Sequence, residues 1–279
     1  MWPVLLFVAC LGAPSPVNAG HGGSDFQRMR ASAAVGAQVV FHWSGELHEL
    51  RPGQAAPSSG PLLHFEGYNI GRVVADADGT VQLLSREVTV YRDPQGQILD
   101  CWTDPWSPQG PGRQVQHVRN DQVNFTLGER APRIVDDRAI WALTLPVAYP
   151  SPMPVSEFPD HAPGSLYQSL EMFTFEAALA HLRDPGQASV PARLSWSRVG
   201  PWLPWMGRGQ APGWLVYHAT GAKLLDGFAG LPDWLQAWVR EHAAAWEHAP
   251  TEPSGPKQTS WSTFASTARD QGLPAPCQP

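Results

Sequence analysis

The chain lacks the short motifs by which most familiar enzymes are recognised. It has no glycine-rich phosphate loop, no dinucleotide-binding G-x-G-x-x-G, no G-x-S-x-G nucleophile elbow, no H-E-x-x-H metal motif and no calcium-binding loop. Cysteines are also few, three in 279 residues, and none belongs to a C-x-x-C pair of the kind found in structural zinc sites. We therefore expect no metal and no cofactor, so any activity has to come from ordinary side chains.

Positive charge and long apolar runs are scarce as well. With 19 Lys and Arg against 25 Asp and Glu, the net charge is −6, whereas a nucleic-acid-binding surface is usually basic. The run Trp2–Leu11 is too short to span a bilayer, which takes roughly 20 apolar residues. We expect neither a nucleic-acid partner nor stable membrane insertion.

The first 19 residues are typical of a secretory signal peptide. They carry no charged side chain, and their apolar run leads to a small-x-small ending at Val17–Ala19. We predict that residues 1–19 are removed, that residues 20–279 form a single domain, and that the protein is secreted or periplasmic. Cys101 and Cys277 then remain, and in an oxidising compartment they either form a disulfide or stay as separate thiols.

Strand-like segments recur at short intervals, with turn residues between them. The clearest hairpin joins Tyr91 to Ile98 through Asp93–Gly96, and a Ser44–Gly45 turn is expected to separate two further strands. Consecutive hairpins without long intervening helices favour an antiparallel arrangement. We predict an all-β fold, an antiparallel meander closed into a lipocalin-like β-barrel.

Helical signals are confined to the two ends of the predicted barrel. Ser24–Arg30 begins with an N-cap residue and predicts a short helix. Leu231–His242 has an apolar stripe at helical spacing and should pack on the barrel. A linker at Pro250–Lys257 precedes a short tail that is expected to dock back through Trp261 and Phe264.

Two proline-rich segments crowd tryptophans onto a restrained backbone. Pro105 lies between Trp102 and Trp106, and Trp202 and Trp205 belong to a second such segment. Because proline fixes φ, the rings are held at set angles with little entropy left to lose. Such segments build either the rigid wall of a pocket or a corner of the core, and the sequence leaves both open.

A first polar cluster lies on one strand. Alternation sends His64, Glu66 and Tyr68 to one face and Asn69 to the other. If the first three face the barrel interior, they place a base, an acid and a phenol side by side. If they face solvent, they form no site.

A second cluster follows the first tryptophan segment. Asp104, His117, Asn120 and Asn124 lie there, and a histidine with a carboxylate beside a tryptophan wall is an arrangement that supports proton transfer. Asp104 could equally cap its turn, and His117 could be a structural histidine.

A third cluster surrounds the second tryptophan segment. Arg198 could bind a carboxylate or an enolate there, with Tyr217 beside it and His218 as an acid or base. A structural cation–π contact between Arg198 and a tryptophan is the alternative.

Eight short blocks of the chain are similar to those of one known family. They are Phe41–Gly45, Phe65–Ile70, Ser85–Glu87, Leu99–Trp106, His117–Asn124, Ser195–Arg198, Pro201–Met206 and Pro212–His218. The family that they resemble is called domain of unknown function 1838. Asp104 stands where that family usually has Asn. The resemblance implies a single domain that is secreted or exported in many members, and it carries no general activity.

Together these features predict a secreted β-barrel enzyme that performs cofactor-independent acid/base chemistry (isomerisation, elimination or hydrolysis) on an apolar or aromatic small molecule in a Trp-lined cavity. The predicted catalytic residues are His117, His218, Asp104, Glu66, Arg198 and Tyr68. The predicted ligand-binding residues are Trp102, Trp106, Asn69, Asn120, Asn124, Trp202, Trp205 and Tyr217. One alternative is a lipocalin-type binding protein without turnover. Another is a carbohydrate-active hydrolase that uses Glu66 and Asp104 as a carboxylate pair.

Overall fold

The computed structural model describes residues 24–53, 60–76, 79–253 and 255–278. The predicted signal peptide lies outside the described residues. The described chain is mostly β. Its strands are β1 Gln38–Leu50, β2 Leu63–Ala75, β3 Val81–Arg92, β4 Cys101–Trp102, β5 Gly112–Gln114, β6 Val118–Asp121, β7 Phe125–Thr126, β8 Arg133–Val135, β9 Arg138–Pro150, β10 Leu166–Ala178, β11 Arg193–Gly200, β12 Trp214–Leu224 and β13 Pro276–Cys277. Its α-helices are α1 Asp25–Arg30, α2 Leu179–Arg183, α3 Asp233–His242 and α4 Ser260–Gln271.

One large antiparallel sheet contains most of the strands. Its order is β6-β3-β2-β1-β12-β11-β10-β9-β8, with β7 also paired to β3, while β13, β5 and β4 form a small second sheet. The prediction of a mostly β, antiparallel fold is therefore confirmed. Within the described ranges, no hydrogen-bonded pairing joins β6 to β8, so closure into a barrel is not confirmed.

The predicted turn at Ser44–Gly45 is wrong, because β1 runs straight through it. A Cβ atom at Gly45 would lie 2.2 Å from the carbonyl oxygen of His218, and one at Gly67 would lie 2.2 Å from that of Val88. Only glycine tolerates so close a neighbouring backbone, and glycines inside strands mark sharp bends. Gly45 therefore allows the sheet to bend within β1 and does not form a turn.

The sheet is strongly curled around its inner face. Phe65 on β2 and Trp196 on β11 are three strand pairings apart, about 14 Å along a flat sheet. Their ring centroids are only 5.9 Å apart. Side chains from distant strands therefore meet inside a trough.

Helix α3 covers part of the outer face. The predicted apolar stripe is buried there, with Leu235, Trp238 and Val239 packed in one cluster with Val40 of β1 and Val88 of β3. The outer face over β1 to β3 is therefore core, and it is separate from the larger core of the inner face.

The C-terminal tail docks on the inner side, as the sequence predicts. Trp261 and Phe264 of α4 are buried in the inner core. Cys277 then forms a disulfide with Cys101, so the paired alternative applies rather than the two thiols. Helix α4 thus lies across one side of the trough.

Candidate active site

The inner face of the curled sheet holds a cluster of polar side chains, which we call the polar trough. Its members come from β3, β6, β10, β11 and β12, and strand alternation points all of them inward. They are Glu87, Tyr91, Asn120, Tyr167, Glu171, Arg198 and Tyr217.

Strand β3 shows how the sequence places these groups. Leu83 and Tyr91 are buried in the inner core, and Glu87 has the same parity on the strand. Glu87 lies directly opposite Asn120 in the pairing of β3 with β6. The same alternation on β10 puts Glu171 in the trough, where it lies opposite Arg198 of β11.

Arg198 is the central cation of the polar trough. Its Nη2 donates a hydrogen bond to the Tyr167 hydroxyl, and its guanidinium lies 5.0 Å from the Tyr217 ring centroid and 5.1 Å from that of Trp261. Its Nε is 3.9 Å from Oε1 of Glu171, which is an ion pair without a hydrogen bond. Arg198 is therefore held mainly by aromatic faces.

Glu87 is the acid that the trough perturbs most. Burial raises the pKa of Glu87 to about 7, and the negative charge of Glu171 adds to this rise. Arg198, Lys257 and a hydrogen bond from Asn120 lower it by smaller amounts. Glu87 is half-buried as a residue, and a carboxyl group with this pKa changes its protonation state near neutral pH.

The tyrosines of the trough are held in the neutral form. Burial raises the pKa of Tyr91 and of Tyr217 well above the ordinary value, while Arg198 opposes the rise in both cases. The two hydroxyls interact with each other. Both phenols therefore remain protonated at physiological pH and can donate hydrogen bonds.

Several buried polar atoms on this face have no hydrogen-bond partner within the described part of the chain. They are Trp196 Nε1, Arg198 Nε, Ser169 Oγ and Asn120 Oδ1. Buried polar groups are nearly always paired in folded proteins, so each such atom needs an explanation. Such atoms also occur outside the trough, for example Trp102 Nε1 and Arg208 Nε. Those of the trough are distinguished by lying on the same face as an acid with a raised pKa.

The predicted tryptophan residues pack mainly against one another in a corner, where Trp205 also contacts Tyr91 of the trough. We call this group, Trp102, Asp104, Trp106, Trp202, Trp205 and Arg208, the tryptophan corner. Trp106 packs edge-on against Trp202, and Trp102 packs edge-on against Trp205. The core interpretation of these segments is therefore the one that the structure supports.

An ion pair closes the tryptophan corner. Arg208 donates to Asp104 at 2.7 Å and lies over the rings of Trp106 and Trp202. Asp104 also accepts from the backbone N–H of Trp106, which is the turn-capping role considered for it. An open depression of about 280 Å³ borders the corner, but Asp104 faces it with its charge already paired.

His117 lies between the sheet and helix α3. Its Nδ1 accepts from the Tyr91 backbone N–H at 3.1 Å, and its ring packs on those of Tyr91 and Trp238. Burial, reinforced by Arg119 and His242, lowers the pKa of His117 to about 4. His117 is thus neutral and occupies a structural position, with none of the described carboxylates paired to it.

His218, Glu66 and Tyr68 all face away from the trough. His218 is exposed on the outer face, where its Nδ1 lies 3.1 Å from Ser197 Oγ. His64, Glu66 and Tyr68 do share a face as alternation predicts, but it is the outer one. Glu66 pairs there with His42 and with an arginine, and Tyr68 is buried under helix α3.

The predicted asparagines have different positions. Asn120 belongs to the polar trough. Asn69 accepts from Arg30 and donates to a backbone carbonyl, and Asn124 accepts from the Ser85 backbone N–H. Asn69 and Asn124 therefore have their hydrogen bonds satisfied by the fold.

Three of the predicted site residues, Arg198, Tyr217 and Asn120, come together in the trough. Sequence reasoning missed Glu87 and Glu171. A usable signal existed, since each occupies a core-facing position of an alternating strand, where a charged residue is unusual.

No described helix has the length and apolar character that crossing a membrane requires. Among the residues that the structure describes, no three His, Cys, Asp or Glu side chains are grouped to hold a metal ion.

Fold and site define an antiparallel, mostly β protein whose curled sheet encloses a buried acid, a buried arginine and tyrosines. The family model for proteins of unknown function called DUF1838 matches residues 36–268, so the chain belongs to that family and the predicted resemblance is confirmed. No curated protein matches the chain. A solved structure titled "Crystal structure of MucB in complex with MucA(peri)" aligns at 11% identity over 73% of this chain and 94% of that chain. Its TM-score is 0.10, and so weak a likeness carries no argument.

Proposed function

We propose that the protein is an enzyme performing cofactor-independent acid/base chemistry on an apolar or aromatic small molecule bound in the polar trough. The observation that carries this proposal is Glu87, a carboxyl group with a pKa of about 7 that lies among Arg198 and neutral tyrosines. A general acid/base works best when its pKa lies near the working pH. Isomerisation, elimination and hydrolysis all need such a group.

The remaining trough residues have complementary roles in this scheme. Glu87 takes or gives the proton. Negative charge that develops on the substrate would be stabilised by Arg198 and by the hydroxyl of Tyr217, both already oriented and partly desolvated. These roles replace those first predicted for His117 and His218.

The walls of the trough suit an apolar or aromatic substrate. Phe65, Trp196 and Tyr217 are mutually packed, with ring centroids 5.6 to 5.9 Å apart, and Phe173 lies 6.3 Å from Trp196. The curvature of the sheet supports a lipocalin-like enclosure, which we keep as part of the proposal. The disulfide between Cys101 and Cys277 and the apolar N-terminal segment favour a secreted or periplasmic protein.

A binding protein without turnover is the principal alternative, since it would need the same walls. The carbohydrate hydrolase based on Glu66 and Asp104 is not favoured. Glu66 is engaged by His42 and Arg92 on the outer face, whereas Asp104 is engaged by Arg208 in the tryptophan corner.

Proton abstraction can be tested without knowing the natural substrate. Aryl ketones, β-keto esters and unsaturated carboxylic acids are incubated with the protein in D2O, and loss of C–H signals is followed by proton NMR. We expect exchange or conversion of at least one compound, and a rate about 10²- to 10⁴-fold lower in Glu87→Gln. Glu66→Gln, a carboxyl-to-amide change on the outer face, is the matched control and should leave the rate unchanged.

A measurement without any substrate accompanies this assay. Infrared difference spectra of the wild type and Glu87→Gln should show a carboxyl group that titrates near pH 7. Titration of Glu87 in the ordinary range of glutamate, or equal exchange rates in both proteins, would contradict the proposal. A compound that binds tightly and never exchanges would indicate the binding protein.

A further inference from the structure

We infer that the molecule taken up by the polar trough is an organic anion, with its carboxylate against Arg198 and its apolar body against Trp196. This inference names the substrate class of the same site and so rests on the proposed function. It is carried by the hydrogen-bonding state of Arg198 and of the atoms around it.

Arg198 has donor capacity that the protein does not use. Its Nε is buried and has no partner among the described residues, and the carboxylate of Glu171 stays at 3.9 Å. The hydrogen bond from Arg198 to Tyr167 reaches a neutral acceptor. A guanidinium has five N–H donors in a fork that matches a carboxylate, so Arg198 can bind a carboxylate by donating hydrogen bonds to it.

The position of Arg198 is fixed without neutralising its charge. The rings of Tyr217 and Trp261 hold the guanidinium by cation–π contacts at 5.0 and 5.1 Å. Its side chain is 11% exposed, while that of Glu171 is 26% exposed. The guanidinium of Arg198 is thus oriented before a ligand arrives, so binding loses little free energy in ordering this side chain.

The other unpartnered atoms nearby are mostly donors. Ser169 Oγ can donate, and Trp196 Nε1 can do nothing else, whereas Asn120 Oδ1 is an acceptor. A carboxylate offers only acceptor sites, and it satisfies several such donors at once. A neutral hydrocarbon would leave all of them unpaired, which is unfavourable for buried polar groups.

The test uses two probes that differ only in charge, 2-naphthoate and 2-naphthamide. Binding to the full-length mature protein is measured by calorimetry at pH 6, where Glu87 is mostly protonated. We expect the wild type to bind 2-naphthoate at least tenfold more tightly than 2-naphthamide. Arg198→Gln should abolish this preference with less than a threefold change for the amide, and Arg198→Lys should retain part of it.

Arg208→Gln is the matched control, because Arg208 also lies over aromatic rings beside a carboxylate, but in the tryptophan corner. It should keep the full preference. Circular dichroism and thermal melting establish that each variant is folded. If Arg198→Gln is not folded, Arg198→Lys is used in its place as the test variant. Equal affinities for the two probes in the wild type, no binding of either at millimolar concentration, or a preference that survives loss of the Arg198 guanidinium would overturn the inference.

The two proposals fail separately. An Arg198-dependent preference for 2-naphthoate, combined with proton exchange that is unaffected by Glu87→Gln, would support an organic-anion ligand and contradict the acid/base function. Proton exchange that occurs on neutral ketones only and requires Glu87, with no preference for 2-naphthoate, would support the acid/base function and contradict the organic-anion ligand.

Discussion

Arg208 and Arg198 each lie over aromatic rings beside a carboxylate, and their surroundings differ. Arg208 in the tryptophan corner makes a 2.7 Å hydrogen-bonded ion pair with Asp104. Arg198 in the polar trough stays 3.9 Å from Glu171 and keeps a buried, unpartnered Nε within the described chain. Arg208 also has a buried Nε that is unpartnered among the described residues, so the difference lies in the carboxylate: the corner arginine has a hydrogen-bonded one, and the trough arginine does not.

The difference separates residues that hold the fold from residues that are available to a ligand. Aromatic crowding is present in both places and does not distinguish them. In the trough, an arginine that is hydrogen-bonded to no described carboxylate, Arg198, and a carboxyl group with a raised pKa, Glu87, occur together. Four predictions, made with six variants, test this division in order of expected effect.

The largest effect should come from removing a ring of the corner. Trp202 is almost fully buried, and its Nε1 donates to the Ala211 carbonyl. Trp202→Ala should lower the free energy of unfolding by about 3–5 kcal/mol in urea denaturation. Trp196→Ala in the trough should cost clearly less, because Trp196 is partly exposed. Equal losses would show that the trough is packed as tightly as the corner.

The second effect is a pH dependence that the trough should have through Glu87. Glu87 faces Glu171 of β10, Arg198 of β11, Lys257 before α4 and Asn120 of β6. Its folded pKa of about 7 lies above the ordinary 4.5, so between these values the folded protein holds a proton that the unfolded chain releases. The Glu87 contribution to stability should therefore fall as pH rises from 4.5 to 7, by up to about 3 kcal/mol, and then level off, while His117, whose folded pKa is lowered to about 4, makes an opposite contribution between pH 4 and 6.5.

Glu87→Gln cannot lose that proton, so its unfolding free energy should lack this component. The measurement is urea unfolding of both proteins at several pH values. Parallel pH profiles would mean that Glu87 titrates normally and that the trough resembles the corner.

The third effect compares the two carboxylates directly. Asp104→Asn leaves Arg208 without its 2.7 Å partner and should cost about 1–3 kcal/mol of unfolding free energy. Glu171→Gln breaks a looser, more exposed pair and should cost less than about 1 kcal/mol. Glu171→Gln should also lower the pKa of Glu87, since the charge of Glu171 helps to raise it. The reverse order of stability losses would exchange the roles assigned to the two ion pairs.

The smallest effect is expected on the outer face. His218→Ala removes an exposed ring and should change stability by less than about 0.5 kcal/mol. Its proton-exchange rate should equal that of the wild type. A slower rate in His218→Ala would place chemistry on the side of the sheet opposite the trough.

The sequence predicted the class of fold and part of the site. Alternation predicted which of His64, Glu66 and Tyr68 share a face, but not whether that face is inner or outer. Whether that face is inner or outer depends on the curvature of the sheet and on where α3 packs, and both arise from contacts between distant segments. Arg198 and Tyr217 were predicted as site residues because both lie near the second tryptophan segment.

Glu87 and Glu171 were missed for a related physical reason. Each lies in an ordinary strand without a motif, and the curling of the sheet makes their charges interact across the trough. Gly45 was predicted to form a turn, although it permits part of that curvature. A local pattern does not encode which strands a curled sheet brings face to face.

The disulfide gives helix α4 a mechanical constraint. Cys277 is bonded to Cys101 across 176 residues of chain, so the segment that carries Trp261 is attached at both ends. A segment attached in this way can bow outward but cannot swing aside like a free terminus. Movement of Trp261 away from Arg198 therefore depends on the linker before α4, and reduction of the disulfide would leave α4 attached at its N-terminal end alone.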